Sequence, residues 1–484
     1  MKVLFVTSES VPYIKTGGLA DVSGALPSTL GKKGVEMARV LPLYRQVEEK
    51  YGKELDYIGY FYVDIGVSRQ YAGIFQKKEE HLTTYFIDSK RYFDREQLYG
   101  EPDDGERFFF FNKAVTQFIK EMDLKVDLVH CNDWHTGFIP LYIKDFAKGD
   151  PYYKDIKTLF TIHNIKYQGV FPRECLTFIG GLSPKYFHEE GVQYYDGINF
   201  MKAGIVYGDQ VSTVSKNYAK ELQYSYYGEG LEGLLKKYQN KFTGILNGLD
   251  MEIYNPKIDP SIPFNFDKNS LEKKKKNKKI LQKKMGLPQK DVPLLSVVSR
   301  LVEPKGMDLL LHIGDELLQE EIQLVVLGTG EKKYEDRFRE MERHYPKKMS
   351  AGIYFSEEDA HLVYGGADYL LMPSLSEPCG LSQMNAQAYG TIPIVRETGG
   401  LVDTVKPYNK YTKMGSGISF GPINAHEFLF AIKRGLEIYG TKEFDHLRIQ
   451  CMEQDNSWES AGNEYKKLYQ SILQGKTVGA FEEI

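Results

Sequence analysis

One unit recurs along this chain and limits its folding more than any other feature: a short apolar run, a loop of glycine and charged residues, then a helical run. KVLFVT (2–7) opens the series and leads through Lys15, Gly17 and Gly18 to a helical run from Asp21. DLVHC (127–131), KTLFTIHN (157–164) and DQVSTVSKNYAKEL (209–222) repeat it. PLLSVVS (293–299), LVVLGTG (324–330), GIYFS (352–356) and DYLLMP carry it through the second half. Apolar runs of this length suit strands buried on both faces, and helices between them return the chain to make those strands parallel. At 484 residues the chain exceeds one comfortable core. The expected fold is therefore α/β, with two doubly wound, Rossmann-like domains facing a cleft. The Pro-rich, aperiodic stretch 255–270, NPKIDPSIPFNFDKNS, reads as a linker between domains at 1–254 and 271–455, and 456–484 begins with an amphipathic helix.

Composition narrows the function by exclusion. A formal net charge of −4 offers no general attraction for nucleic acid or anionic membrane, so any anion site must be local. No uncharged run is long enough to span a bilayer, and the apolar start of MKVLFVTSE is too short for a secretory leader. Cys131, Cys175, Cys379 and Cys451 lie far apart without a CxxC pair, which signals neither a disulfide framework nor a zinc site and fits a reducing cytoplasm. The run LEKKKKNKKILQKKMGL reads as a lysine-studded, solvated helix face, and FFFF (108–111) as core.

Chemistry concentrates in loops that follow strands. In PSLSEPCGLSQ (373–383) the carboxylate of Glu377 stands beside Cys379, Gly380, Leu381 and Ser382 at the start of a helical run, where unpaired amides suit an anionic or polyhydroxylated ligand. EPxG alone reads equally as a turn whose Pro378 starts a helix. In KTGGLADV the glycines admit a ligand close to the backbone, and Lys15 adds a positive charge near Asp21. The absence of GxGxxG speaks against nicotinamide chemistry. Arg300 and Lys305 could neutralise a diphosphate. Asp133, His135 and His163 follow strands whose carboxyl ends face the ligand crevice, although a lone histidine there is usually structural.

Taken together, KTGGLADV, HCNDWHTG, IHNIKYQG, NFMKAGI, YGEGLEGLL, ILNGLD, SRLVEPKG, PSLSEPCGL and RETGGLVDTV resemble the bacterial glycogen synthase and plant starch synthase family over essentially residues 1–475. Cys131 and Asn132 depart from its HxHDWH, and Leu375 and Ser376 from its PSRFEPCGL. The resemblance implies the GT-B glycosyltransferase fold, with the last helix crossing back onto the first domain. It implies transfer of glucose from ADP-glucose to the nonreducing end of an α-1,4-glucan with retention of configuration, in glycogen biosynthesis. Cationic side chains and amides can do a metal's electrostatic work, so no metal and no cofactor are expected. Lys15 and the amides at Gly17 and Gly18 would face the donor phosphates with Arg300 and Lys305, and Asp21 would stand among the substrate-binding residues. Glu377 and His163 would hold the glucose, Asn247 would reach the donor, and Asp133 would lie toward the acceptor. Phe355, or its neighbour Tyr354, would cover the nucleobase. Another acceptor, a UDP-glucose donor, or a non-catalytic glucan-binding homologue remain as alternatives.

Overall fold

A computed structural model describes residues 1–480. The chain forms two compact units, Met1–Asn247 together with the chain from Trp458 onward, and Gly248–Ser457.

The first unit is built on a nine-stranded sheet in the order Phe242–Gly244, Gln210–Thr213, Lys157–Ile162, Leu128–Asn132, Lys2–Val6, Glu36–Pro42, Leu82–Asp88, Ser68–Lys78, Asp56–Ile65. The pairs run parallel from Phe242–Gly244 to Leu82–Asp88, and a hairpin, Asp56–Ile65 with Ser68–Lys78, adds an antiparallel edge. From Lys2–Val6 the chain builds outward one way through Glu36–Pro42, then returns to Leu128–Asn132 and builds the other way. The switch point therefore lies between Lys2–Val6 and Leu128–Asn132, where an open α/β sheet parts its loops to admit a ligand. The four phenylalanines 108–111 are wholly buried in the helix Asp104–Glu121.

The second unit carries a six-stranded, all-parallel sheet in the order Met349–Gly352, Gln323–Leu327, Leu294–Val298, Tyr369–Met372, Ile392–Arg396, Ile418–Phe420. Its direction reverses between Leu294–Val298 and Tyr369–Met372. The helix Trp458–Leu473 belongs to the first unit. Its Ala461, Tyr465, Leu468 and Ile472 pack in one apolar cluster with Val22, Leu26 and Leu30 of the helix Gly18–Lys32, and Tyr469 Oη lies 2.7 Å from His130 Nδ1.

Four sequence readings change. The stretch 255–270 is not a free linker: Ile262 and Phe266 are buried against Tyr364 and Tyr389, and the Asp259 carboxylate lies 2.7 Å from His361 Nδ1, so the stretch belongs to the second unit. Its lack of periodicity reflects irregular backbone tied down by side chains. GIYFS is mostly loop, because the strand is Met349–Gly352 and Ser356 caps the next helix through the Asp359 amide. The lysine-rich helix Leu271–Lys284 is not solvated all round. Lys274 is buried, donating to Tyr364 O at 2.8 Å and Thr391 Oγ1 at 2.7 Å, and Lys278 pairs with Asp368 at 2.6 Å. The first helix begins at Gly18, before Asp21.

Candidate active site

In the first unit, the predicted groups gather at the switch point. The loop after Lys2–Val6 folds around Glu9, a buried carboxylate that accepts hydrogen bonds from the Thr16 hydroxyl at 2.8 Å and from the Thr16 and Gly17 amides. Burial raises the Glu9 pKa against these contacts. Lys15 pairs with Asp21 at 2.8 Å, and Gly17 caps the helix Gly18–Lys32 without a side-chain bond. Nothing in the fold demands glycine at 18, where an added Cβ would meet no atom within 4 Å. That opening leaves the first-turn amides accessible to a ligand.

Asp133 follows Leu128–Asn132 with a positive φ of 55°, a costly conformation for a residue with a side chain. Its Oδ1 accepts the His163 amide at 2.7 Å and the Asn164 amide at 3.4 Å, joining the ends of neighbouring strands. Burial pushes the Asp133 carboxyl up to about 7, against those two amides and with the help of the Glu9 charge. Burial drives the His163 imidazole down to about 3, which leaves it neutral. The Asn132 amide nitrogen donates to Val6 O, so its Oδ1 accepts from His163 Nε2 at 2.9 Å and leaves Nδ1 as the ring acceptor. The structure thus brings Asp133 and His163 together. His135 lies buried among Tyr99, Phe108 and Trp134, with neither ring nitrogen hydrogen-bonded among the described residues. Asn247 ends the unit's first stretch of chain, with its Oδ1 buried and likewise unpartnered among the described residues.

In the second unit, the loops after Leu294–Val298 and Tyr369–Met372 meet at the switch point. Lys305 Nζ lies 2.8 and 2.6 Å from the two Glu377 oxygens, and Ser374 Oγ donates to Oε2 at 3.0 Å. Glu377 is buried, while Lys305 is partly exposed. The two loops are also joined through backbone, Leu375 N to Pro304 O at 2.8 Å. Gly306 adopts φ 72°, and a Cβ there would sit 1.9 Å from Pro373 O, so only glycine lets the lysine loop approach the carboxylate loop this closely. Gly399, at φ 47°, presses equally on Glu377 O, and Gly400 N donates to that carbonyl at 3.1 Å.

The helix after Glu377 starts at Ser382, not at Pro378, with Leu381 as its cap. Gln383 Nε2 fixes the turn by donating to Cys379 O at 3.1 Å and Gly380 O at 3.0 Å. Arg300 is exposed, and among the described residues its guanidinium makes no hydrogen bond or ion pair. Phe355 is 79% exposed, whereas Tyr354 is tied to Asp359 at 2.7 Å.

Residues 2–237 match the starch synthase catalytic domain, and 277–445 match glycosyl transferases group 1. The chain is 47% identical over 474 residues to the glycogen synthase of Finegoldia magna, covering 98% of this chain and 100% of that one. This chain belongs to the glycogen synthase family. The Bacillus cereus (strain Q1) glycogen synthase is 46% identical over 476 residues, again covering 98% and 100%. The catalytic domain of starch synthase IV from Arabidopsis thaliana, solved bound to ADP and acarbose, superposes with a TM-score of 0.90 at 31% identity over 98% of this chain and 99% of that one. A sucrose-phosphate synthase from Thermosynechococcus elongatus shares the fold alone, with a TM-score of 0.62 at 16% identity over 98% of this chain and 100% of that one. The fold is GT-B and the protein a glycosyltransferase.

Within this glycogen synthase-family fold, sequence reasoning passed over Glu9, Asn132, Ser374 and Gly399. Glu9 lies just past the run KVLFVT, in a stretch weighed only as a secretory leader. Asn132 was seen as a departure from a motif, yet it supplies the His163 ring contact. Ser374 and Gly399 lay inside recognised motifs, but only the folded loops show what they touch.

Proposed function

We propose that this protein transfers glucose from ADP-glucose to the nonreducing-end 4-hydroxyl of an α-1,4-glucan, with retention at the anomeric carbon. The observation that carries the reading is the Lys305–Glu377 pair at the second unit's switch point. It sets a cation for departing phosphate beside a carboxylate able to accept sugar hydroxyl protons. The glycogen synthase names of the relatives and the ADP in the plant enzyme support the donor and acceptor.

Loss of the diphosphate develops negative charge on the leaving oxygen and oxocarbenium character on the sugar. Arg300, Lys305 and Lys15, with the amides near Gly18 and Leu381, oppose the first charge. Glu377 and neutral His163 hold the glucose, Phe355 covers the base, and Asn247, Cys379, Gly380 and Ser382 line the donor. Asp133 lies toward the acceptor, and the departing diphosphate accepts the acceptor's proton. The cationic side chains supply the electrostatics, so EDTA is expected to leave the rate unchanged. We assign the protein to the cytoplasm, a reading supported by its four free cysteines.

The test is glucose incorporation into glycogen from ADP-glucose and UDP-glucose side by side. ADP-glucose should be preferred, and Lys305→Ala or Glu377→Ala should each lower kcat by about 10²–10³, as loss of one transition-state contact does. Preference for UDP-glucose would overturn the donor, and incorporation undiminished in both variants would overturn the site.

A further inference from the structure

Asn132 ends the strand Leu128–Asn132 with no solvent exposure, at a position where the HxHDWH of the family has histidine. Its carboxamide is fixed from three sides. The protons of Nδ2 go to Val6 O at 2.9 Å and His130 O at 3.2 Å, one carbonyl on the neighbouring strand and one on its own. A carbonyl only accepts, so the nitrogen faces these oxygens and Oδ1 is turned to His163, whose Nε2 lies 2.9 Å away. That oxygen also only accepts. The neutral His163 ring therefore carries its proton on Nε2.

Histidine at 132 would not impose this form. An imidazole turned toward His163 presents either a lone pair or an N–H, and the facing ring takes the complementary tautomer. Asparagine removes the choice. The other contacts hold His163 in place without competing for its second nitrogen: the backbone amide donates to Asp133 Oδ1 at 2.7 Å, and Nδ1 makes no hydrogen bond among the described residues. The side chain is 8% exposed, and burial keeps the ring uncharged at neutral pH. What the ring has left for a ligand is a lone pair.

We propose that Asn132 is a positioning residue that locks His163 as the Nε2–H tautomer, so that Nδ1 selects a donor sugar bearing a hydroxyl at the point of contact. The proposal rests on the reading that His163 holds the glucose and adds what the ring demands of that sugar. A lone pair takes a hydroxyl proton, goes unpaired where the hydroxyl is missing, and is repelled by fluorine or a carboxylate in its place. The opposite tautomer would turn an N–H to the same point and accept such groups. The locked form also sets electron density, rather than a polar N–H, beside a sugar that gains oxocarbenium character during transfer.

The experiment has two readouts. Nitrogen-15 spectra of protein labelled at histidine distinguish a protonated from a bare ring nitrogen, with His163→Gln identifying the resonances. Kinetics, read as ADP release, compare ADP-glucose with four analogues, each with fluorine in place of the hydroxyl at C2, C3, C4 or C6. The variants are Asn132→Leu, close in shape and unable to accept, and Asn132→Asp, whose carboxyl can give a proton to Val6 O and an oxygen to Nε2. Asn132→Ala serves should the leucine variant fail to fold. The wild type should show a bare Nδ1, and the analogue altered at the contacted hydroxyl should lose about ten- to a hundredfold in kcat/KM. In Asn132→Leu the penalty at that one position should shrink by on the order of fivefold or more, while the other three stay as in the wild type. Comparing each penalty between variant and wild type cancels the inductive effect of fluorine. Asn132→Asp should keep both the bare Nδ1 and most of the penalty. A protonated Nδ1 in the wild type would overturn the proposal, and so would penalties at all four positions that neither leucine nor alanine alters. A bare Nδ1 in a wild type that transfers no glucose would refute the proposed reaction while upholding the lock.

Discussion

Asp133 binds its proton more tightly in the folded protein, with a pKa of about 7, than in an unfolded chain at about 3.9. Between those values folding takes up a proton, so the stability cost of this carboxyl is absent below about pH 4, grows as pH rises and is complete above 7. Its full size is on the order of 4 kcal/mol. Asparagine keeps an oxygen for the His163 amide and cannot ionise. Asp133→Asn should therefore raise the urea midpoint clearly at pH 8 and little at pH 4.5, and an equal shift at both would contradict the assignment. His163 works in the opposite sense: with a folded value near 3 and an unfolded one near 6.5, its contribution is full above 6.5 and is lost as pH falls toward 3. The short polar motifs ending in Asp133 and His163 were visible in the sequence. Their mutual bond was not, because it joins residues thirty positions apart through strand adjacency.

At the scale of elements, the alternation of apolar run and helix disclosed the parallel sheets because both faces of those strands are covered, which leaves no polar alternation to confuse the period. What escaped was irregular backbone. The stretch 255–270 has no period to read, yet Ile262, Phe266 and Asp259 anchor it. Lys274 and Lys278 escaped because a buried lysine looks like an exposed one until its carbonyl and carboxylate partners are in view. The meeting of the loops at Gly306 gives a prediction at this scale. Gly306→Ala forces both a strained φ and a clash with Pro373 O, so it should shift Lys305 away from Glu377. The expected loss is about 2 kcal/mol of stability or more, with at least a tenfold fall in transfer rate. Thermal unfolding and the incorporation assay check it, and a wild-type rate would exclude a tight approach of the two loops.

For the whole molecule, the second unit is an insertion in the first. Leu249 N donates to Asn456 O at 2.6 Å, and Leu249 pairs with Ser457 in a single parallel bridge, so the chain segments that enter and leave the second unit run side by side there. Replacing Gly248–Ser457 with a short Gly/Ser linker should thus leave a first unit that folds cooperatively, whereas residues 1–247 alone should not. Circular dichroism and urea unfolding of the two chains distinguish these outcomes. The apolar stripe of the last helix was legible in its i, i+3, i+4 spacing, but the partner of that stripe was implied only by resemblance. The same arrangement sets an order of events on the ribosome. The helix Trp458–Leu473 covers Val22, Leu26 and Leu30, yet it is synthesised about 210 residues after Asn247. At bacterial and eukaryotic elongation rates that interval is roughly 10–40 s. During it the unit made first stands with an apolar flank bare, and the unit made second, continuous in sequence, is the first able to finish.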